Sequence, residues 1–242
     1  MGDNILTMIK VIELPIDKDM GGLTSYVLQL YRMIDKKEFE LTLLSYDDSQ
    51  NFDVNYNVEM VSRPYHVIQF YKKIKCLLSE GKNIIHFHQS YVNIIPILIA
   101  KLAGFKTIIL HAHSSSIDDN RKIVRFLKTG LHKVGRFLLP YLVDTYIGCS
   151  TKASEWMFPR KCIDSDSYYL LHNAIDLDLY DRNINLGLEV RQKFNIPKDA
   201  LVVGHIGRFT PVKNHLFIID IFKEVLKQNP NSYLFLLGDG VE

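Results

Sequence analysis

The sequence predicts an α/β protein in which a doubly wound, Rossmann-like domain with a parallel sheet is followed by the first part of a second Rossmann-like domain. Two observations lead to this prediction. Short apolar runs alternate with segments of helical periodicity along most of the chain, which is the pattern of repeated strand–helix–strand units. Within the runs, consecutive residues are apolar, as in strands that are buried on both faces of a parallel sheet.

The strands of the first domain follow from these apolar runs. They are predicted at residues 9–14, 41–44, 58–61, 83–88, 107–110, 142–148 and 167–171. Gly21-Gly22 opens the first helix, in which apolar residues recur every three or four positions. Later helices are expected from about residue 67, at 91–103 and at 119–140.

A more polar segment then interrupts the alternation, and the strand–helix–strand pattern starts again with a strand at 201–206. A helix from about residue 214 to 228 and a strand at 233–237 follow. We therefore predict two domains, residues 1–175 and 176–242. Two strands and one crossover helix cannot cover both faces of their own sheet, so we expect a fragment of a longer fold or a covering partner.

Composition and charge exclude several classes of protein. The hydrophobic and charged fractions, 47% and 23%, are those of a soluble globular protein, and a net charge of +2 gives no reason to expect a nucleic-acid partner. Cys76, Cys149 and Cys162 are far apart and indicate reduced thiols in a cytoplasmic protein. No secretory signal or membrane-spanning segment is expected, since the most apolar stretch, 94–103, is about half a bilayer span.

The residues after the first strand of the second domain have the properties of a phosphate-binding turn. Gly207 is followed at once by Arg208, and Lys213 comes five residues after that arginine. Thr210-Pro211 offers a helix start, with a hydroxyl residue at the N-cap and proline at the first helical position. Two cations and a helix N-terminus beyond the carboxyl end of a strand would hold a diphosphate. An ordinary strand–turn–helix with solvated cations fits the same residues.

Gly21-Gly22 occupies a second position that suits an anion. The pair follows the first strand and opens the first helix, where backbone N–H groups can approach a ligand without hindrance from side chains. Glycine pairs are also common in turns, so the position of the pair is better evidence than its composition.

Residues 119–140 predict a cationic amphipathic helix. One face carries an apolar stripe of Ile123, Leu127, Leu131, Val134 and Leu138. The opposite side carries Arg121, Arg125, Lys128, His132 and Arg136, with Lys122 and Lys133 adding to the charge. Such a helix can lie on an anionic membrane, at roughly 1 kcal/mol per basic residue near the lipid. We expect instead that the apolar stripe packs on the sheet, leaving a cationic outer face that could still meet a phospholipid or a lipid diphosphate.

His113 lies just past the end of a middle strand, where side chains face a ligand in α/β sheets. It shares one side of the extended chain with His111, but no third zinc ligand is evident nearby, so no metal site is expected. A hydrogen-bonded structural role is the commoner one for such a histidine, and for His86 and His88. The sequence has no G-x-G-x-x-G and no G-x-x-x-x-G-K-[ST], which argues against a dinucleotide dehydrogenase and a P-loop NTPase.

In chain order these motifs resemble those of the family 4 glycosyltransferases, retaining enzymes with the two-Rossmann-domain (GT-B) architecture. The resemblance rests on the glycine pair, His113, Cys149-Ser150, His172-Asn173-Ala174-Ile175-Asp176, Gly207-Arg208 with Lys213, and Leu237-Gly238-Asp239-Gly240. The whole chain is similar to the first two-thirds of such an enzyme, truncated within its C-terminal domain. Bacterial members that build capsular, exopolysaccharide or lipopolysaccharide chains are the most similar. Ala174 replaces the family's usual glycine, and the family's paired glutamates would lie beyond Glu242.

The resemblance implies transfer of a hexose from a UDP- or GDP-sugar to a lipid-linked or oligosaccharide acceptor, without a cofactor. Arg208 and Lys213 would hold the donor diphosphate and stabilise its charge as it leaves. Gly22, with Gly21, would approach the donor's phosphate or sugar, and His113 would be a catalytic residue that hydrogen-bonds near the reacting sugar. The membrane-facing or acceptor surface would comprise Arg121, Lys122, Arg125, Lys128, Lys133 and Arg136. The protein is then expected in the cytoplasm, peripheral at the inner face of the cell membrane.

Two alternatives remain open. One is a nucleotide-sugar epimerase of the same architecture, which acts on a soluble substrate and does not need the basic helix face. The other is a truncated, non-catalytic module that binds only the acceptor. Salt-sensitive binding to liposomes would favour the transferase over the epimerase, and binding of a nucleotide sugar would exclude the non-catalytic module.

Overall fold

The computed structural model describes residues 8–17, 21–48, 52–53, 55–117, 119, 121–177 and 184–240. The chain divides into two compact units, Met1–Asp176 and Leu177–Glu242. Within the described residues, no helix combines the length and the hydropathy that are needed to cross a membrane.

In the described part of the first unit, seven parallel strands form one sheet in the order β3-β2-β1-β4-β5-β6-β7. These strands are β1 (Ile9–Ile16), β2 (Phe39–Ser45), β3 (Val58–Met60), β4 (Ile84–Gln89), β5 (Thr107–Ala112), β6 (Thr145–Gly148) and β7 (Tyr168–Leu170). The strand order reverses between β1 and β4. The carboxyl ends of these two strands therefore form the switch point at which doubly wound sheets bind ligands.

The helices of the first unit are α1 (Gly22–Met33), α2 (Val67–Ser79), α3 (Ile94–Ala103), α4 (Lys122–Leu142), α5 (Thr151–Met157) and α6 (Arg160–Ile163). Gly104 follows α3 in the left-handed conformation, with φ of 101°, so the helix ends at the predicted residue 103. α3 begins later than predicted because the Asn93 side chain accepts a hydrogen bond from the Ile95 N–H and caps the helix. α5 was not predicted, although Ser150 caps it in the same way.

Alternation along the strands divides the core into two layers. Ile12 and Leu14 of β1 pack with residues of α2, α3 and α4 on one face of the sheet. Val11 packs with Val27 and Leu28 of α1 on the other face. Glu13 shares the face of Val11, since side chains alternate along a strand. A carboxylate is thus enclosed beneath α1, with Glu13 only 2% exposed.

The predicted orientation of the amphipathic helix is only partly right, because Leu131 and Leu138 pack against the core but the rest of the expected stripe does not. In α4, Ile123, Leu127 and Val134 of the expected buried stripe are 77%, 64% and 59% exposed. The buried residues are His132, Gly135 and Leu139, of which His132 belongs to the side predicted to be polar. The helix is therefore rotated about its axis relative to the prediction, and much of its apolar surface faces outward.

Contacts of three residues explain this rotation. His132 Nδ1 accepts a hydrogen bond from the backbone N–H of Val92 over 3.0 Å, and its ring stacks on Trp156 with centroids 4.2 Å apart. Arg136 donates to the carbonyls of Trp156 and Phe158 at 2.9 and 2.8 Å. Gly135 lies so close to Val92 that a Cβ at this position would overlap the valine side chain. The hydrogen bonds of His132 and Arg136 and the close approach of Gly135 to Val92, rather than hydropathy, determine which face of α4 is buried.

The second unit contains α7 (Ile184–Lys193), β8 (Leu201–Ile206), α8 (His215–Gln228) and β9 (Ser232–Leu237). β8 and β9 pair in parallel along their whole length, and a bridge between Phe209 and Gly240 extends the pairing. The α8 helix begins close to residue 214, as predicted, and the possible start at Thr210-Pro211 begins only a short turn. Residues 211–213 form a single 3₁₀ turn, and α8 begins after Asn214, whose φ of 51° and ψ of 52° break the helical path.

Candidate functional site

Strand register aligns a glutamate and four histidines on one face of the first sheet. Glu13 of β1 lies opposite His86 of β4, and His88 lies opposite His111 of β5. His113 follows β5 directly, and its backbone N–H donates to the last carbonyl of β4 over 3.0 Å. The side chains meet beneath α1, at the carboxyl ends of β1, β4 and β5. We call these five residues the histidine cluster.

Glu13 is the anionic centre of the histidine cluster. Its Oε2 accepts hydrogen bonds from His86 Nδ1 at 3.0 Å and from His88 Nε2 at 2.6 Å. Burial raises the pKa of this carboxyl, but the electrostatic influence of His86 and the hydrogen bonds from both histidines outweigh burial and hold the pKa at about 2. Glu13 is therefore a buried carboxylate at neutral pH.

His88 connects Glu13 to His113. Its second nitrogen, Nδ1, lies 2.8 Å from His113 Nε2. Burial, helped by the neighbouring His86, lowers the pKa of His88 to about 4. Burial, helped by His88 and His86, lowers the pKa of His113 to about 2. Both histidines are neutral at pH 7, so His113 is suited to hydrogen bonding and not to proton donation from an imidazolium.

Tyr26 brings the start of α1 to the histidine cluster. Its ring lies edge-on to His111 with centroids 5.1 Å apart, and 5.2 Å from His113. One turn earlier, Gly21 precedes α1 without a side-chain cap, and a Cβ on Gly22 would meet no atom of the described residues within 4 Å. The predicted residues Gly22 and His113 thus lie in one region, with open space at the helix N-terminus.

His86, His88 and His111 could together approach a metal ion, because each offers one ligand atom within 4.8 Å of the others. The sequence argument that no third ligand lies near His111 is wrong, since register brings the β4 histidines beside it. Both nitrogens of His88 are already held, by Glu13 and by His113. Ion binding would break one of these bonds, so the absence of a metal site stays a prediction.

The predicted diphosphate-binding residues lie in the second unit. Arg208 and Lys213 are exposed, and neither has an ion-pair partner among the described residues. The aliphatic part of the Lys213 side chain lies beside Gly207. A Cβ added to Gly207 would be 3.6 Å from Cδ and Cε of Lys213. Gly238, after β9, packs on the Gly207 carbonyl so closely that a Cβ would overlap it. Two cations without an ion-pair partner among the described residues therefore lie beside a turn that contains glycines and so exposes its backbone.

The basic residues of the α4 region divide into two groups. Lys128 Nζ lies 2.8 Å from Asp119 Oδ2, and Arg136 is held by backbone carbonyls, so both have structural partners. The exposed group comprises Arg121, Lys122, Arg125 and Lys133. Of these, Arg121 also pairs with Asp119. It shares the outer surface with residues that are 59% to 77% exposed: Ile123, Phe126, Leu127, Val134, Phe137 and Tyr141.

Comparison with known proteins places the chain in a family. The family model "Glycosyltransferase Family 4" matches residues 20–179, which include the glycine pair, α4 and all of the histidine cluster except Glu13. The chain belongs to glycosyltransferase family 4. The resemblance read from the motifs is thereby confirmed.

Curated relatives of this family 4 member include a Bacillus subtilis protein named "Putative glycosyltransferase EpsF", which is 26% identical over 96% of this chain and 62% of its own length. The Escherichia coli UDP-Gal:alpha-D-GlcNAc-diphosphoundecaprenol alpha-1,3-galactosyltransferase is 21% identical with the same coverage. The chain thus spans about 62% of the length of these curated relatives.

Solved structures confirm the GT-B fold. Anabaena Alr3699/HepE in complex with UDP-glucose has a TM-score of 0.70 and 15% identity, over 96% of this chain and 61% of that one. A UDP-N-acetylglucosamine 2-epimerase also matches, with a TM-score of 0.55 and 12% identity over 98% of this chain and 70% of that one. The fold alone therefore does not separate transferase from epimerase, whereas the family match favours the transferase.

The sequence did not point to Glu13 or Tyr26, and for His86 and His88 it indicated only a hydrogen-bonded structural role. One signal was available, an acidic residue within the apolar run of β1. A buried carboxylate needs partners, and two His-x-His pairs on later strands could supply them. Which histidines reach Glu13 depends on strand order and register, and these pairings join distant parts of the chain.

Proposed function

We propose that this family 4 member transfers a hexose from a UDP- or GDP-sugar to a growing surface polysaccharide or a lipid-linked acceptor, with retention of the anomeric configuration. One observation carries the proposal. Inside the segment that matches the family, His113 and the uncapped start of α1 lie together at the ligand-binding end of the sheet. The E. coli relative is named for UDP-Gal and a diphosphoundecaprenol acceptor, and HepE binds UDP-glucose, which supports a nucleotide-sugar donor.

Each candidate residue has a role in such a transfer. Breaking the bond between sugar and diphosphate leaves negative charge on the phosphate, and fixed cations stabilise that charge. Arg208 and Lys213 supply the cations, and they carry no competing ion pair among the described residues. The backbone N–H groups at Gly21 and Gly22 face the donor's phosphate or sugar. His113, neutral at pH 7, hydrogen-bonds near the reacting sugar.

The outer surface of α4 docks on an anionic membrane in this proposal. Apolar side chains exposed by 59% to 77% on one helix are typical of an interaction surface, and the exposed basic residues beside them favour anionic lipid. Each basic residue near the lipid contributes about 1 kcal/mol. Docking would hold the protein at the inner face of the cell membrane, where a lipid-linked acceptor is within reach.

A transfer assay tests the proposed reaction. The chain is incubated with radiolabelled UDP- and GDP-hexoses and with a diphosphoundecaprenol-linked sugar in vesicles. We expect label in the lipid fraction, with the anomeric configuration of the donor in the product. Conversion of the nucleotide sugar into its 2-epimer without acceptor would overturn the proposal in favour of an epimerase. The absence of any reaction, together with absence of donor binding, would favour a non-catalytic module.

A further inference from the structure

Two hydrogen bonds join Glu13, His88 and His113 into one chain. His88 Nε2 lies 2.6 Å from Glu13 Oε2, and His88 Nδ1 lies 2.8 Å from His113 Nε2. Glu13 and His88 are 2% and 1% exposed, so water does not compete for these bonds. His113 is half-buried, and its Nδ1 has no partner among the described residues and is not enclosed.

The chemistry of the three groups fixes where the protons lie. A carboxylate only accepts hydrogen bonds, so His88 Nε2 must carry a proton and donate it to Glu13. A neutral imidazole has one N–H, so His88 Nδ1 is then an acceptor. The short contact with His113 requires a donor on the other side, and this donor is the Nε2–H of His113. The remaining nitrogen of His113, Nδ1, therefore carries a lone pair.

We propose that Glu13 and His88 are positioning residues that hold His113 with its proton on Nε2, so that Nδ1 accepts a hydrogen bond from a hydroxyl of the donor sugar. The inference rests on the proposed function, because it names the contact that His113 makes with the donor. The low pKa values of Glu13 and His88 agree with it, since both groups keep these protonation states at neutral pH.

The arrangement predicts a preference for donors that can give a proton to His113. A sugar hydroxyl can donate to Nδ1, whereas a fluorine at the same carbon cannot. For the hydroxyl that contacts His113, the deoxy and the deoxyfluoro donor should therefore bind equally poorly, each about tenfold more weakly than the parent. If His113 instead presented an N–H, fluorine would retain part of the interaction.

The tautomer of His113 can be read without any donor, by NMR of the full chain labelled with ¹⁵N in histidine. The His113 signal is assigned by its loss in His113→Asn. We expect a protonated Nε2 and an unprotonated Nδ1 in the unsubstituted protein. In His88→Phe and in Glu13→Gln, we expect the two tautomers of His113 to mix. The matched control is His86→Phe, which removes a bond to Glu13 but no bond to His113, and should leave the tautomer unchanged.

Two results in this experiment would overturn the inference. One is a proton on Nδ1 of His113 in the unsubstituted protein. The other is an unchanged His113 tautomer in Glu13→Gln, the nearly isosteric variant, and in His88→Phe where circular dichroism shows that it is folded.

Binding of UDP-glucose and its deoxy and deoxyfluoro analogues then tests the contact itself. At one sugar position, both analogues should lose about tenfold in affinity, and His113→Ala should abolish the difference between them and the parent. Deoxyfluoro donors that bind as well as the parent at every position would overturn the inference. If neither the parent UDP-glucose nor a GDP-hexose binds at all, the proposed function fails, while the NMR result still decides the tautomer.

Discussion

His132 accepts a hydrogen bond from the backbone N–H of Val92 over 3.0 Å, and this contact determines which face of α4 is buried. Next to it, Gly135 gives the helix the room to approach Val92. Much of the apolar surface of α4 is turned outward as a consequence, whereas Leu131, Leu138 and Leu139 pack on the core. The surface that we assign to the membrane thus depends on a polar contact and a glycine in the interior.

The closeness of Gly135 to Val92 predicts that Gly135→Ala destabilises the first unit. The added methyl would overlap the Val92 side chain, and overpacking of this kind costs about 1–3 kcal/mol. The control is Gly130→Ala in the same helix, where a Cβ meets no atom within 4 Å. This change should stabilise by up to about 1 kcal/mol, because alanine favours helix. Urea unfolding measures the stability of both variants. Equal unfolding midpoints for the two would contradict the close packing of Gly135 on Val92.

Exposed apolar residues on α4 predict binding to vesicles that contain anionic lipid. Phe126→Ser should weaken this binding about tenfold or more, because a phenylalanine side chain that is 76% exposed in the free protein would no longer enter the lipid. Binding should also weaken with salt, since the exposed basic residues contribute through screened charge. Vesicle co-sedimentation measures both effects.

Met33→Ser is the matched control for the vesicle experiment. Met33 is 64% exposed at the end of α1, which covers the opposite face of the sheet from α4. Its replacement should leave vesicle binding unchanged. An equal loss in the two variants would argue against a specific role of α4.

Burial of the histidine cluster predicts that the first unit loses stability in mild acid. Folding lowers the pKa of His88 from 6.5 to about 4 and that of Glu13 from 4.5 to about 2. The unfolded chain therefore binds more protons, and stability falls as the pH drops below about 6.5, first through the histidine and then through Glu13. For His88 alone the loss is on the order of 3 kcal/mol by pH 4.

Urea unfolding at pH values between 7.5 and 4 measures this loss. His88→Phe should reduce the pH dependence, whereas His66→Gln, which removes an exposed histidine, should not. A free energy of unfolding that is independent of pH over this range would contradict the buried, neutral state of His88.

The positions of the strands could be predicted from the sequence, whereas the partners of Glu13 and His132 could not. The strands of the first unit lie where apolar runs predicted them, because a strand buried on both faces needs apolar residues at successive positions. The meeting of Glu13 with His86 and His88 depends on the pairing of β1 with β4, and no local pattern encodes that register. His132 was predicted on a polar face, but its partners, Val92 and Trp156, come from other segments of the chain.

Two local signals compete at the start of α8, which begins close to the predicted residue 214. Thr210-Pro211 has the composition of a helix start, and it does begin a 3₁₀ turn. The left-handed conformation of Asn214 then separates this turn from α8. Asparagine adopts that conformation more readily than most residues, so Asn214 carried a signal for the later start.

Donor binding is the most direct test of the central claim, that this chain binds a nucleotide sugar through Arg208 and Lys213. Calorimetry compares the unsubstituted chain with Arg208→Ala/Lys213→Ala, using UDP-glucose, UDP-galactose and GDP-mannose. The control is Lys223→Ala/Lys227→Ala, which removes the same charge from exposed residues of α8 that pair with Asp220 and Glu224. We predict that the unsubstituted chain and the control bind one of these donors equally well. Arg208→Ala/Lys213→Ala should bind it at least about 100-fold more weakly, because each charged hydrogen bond contributes about 1.5–3 kcal/mol. Equal affinity in the two double variants, or no binding of any donor by the unsubstituted chain, would contradict it.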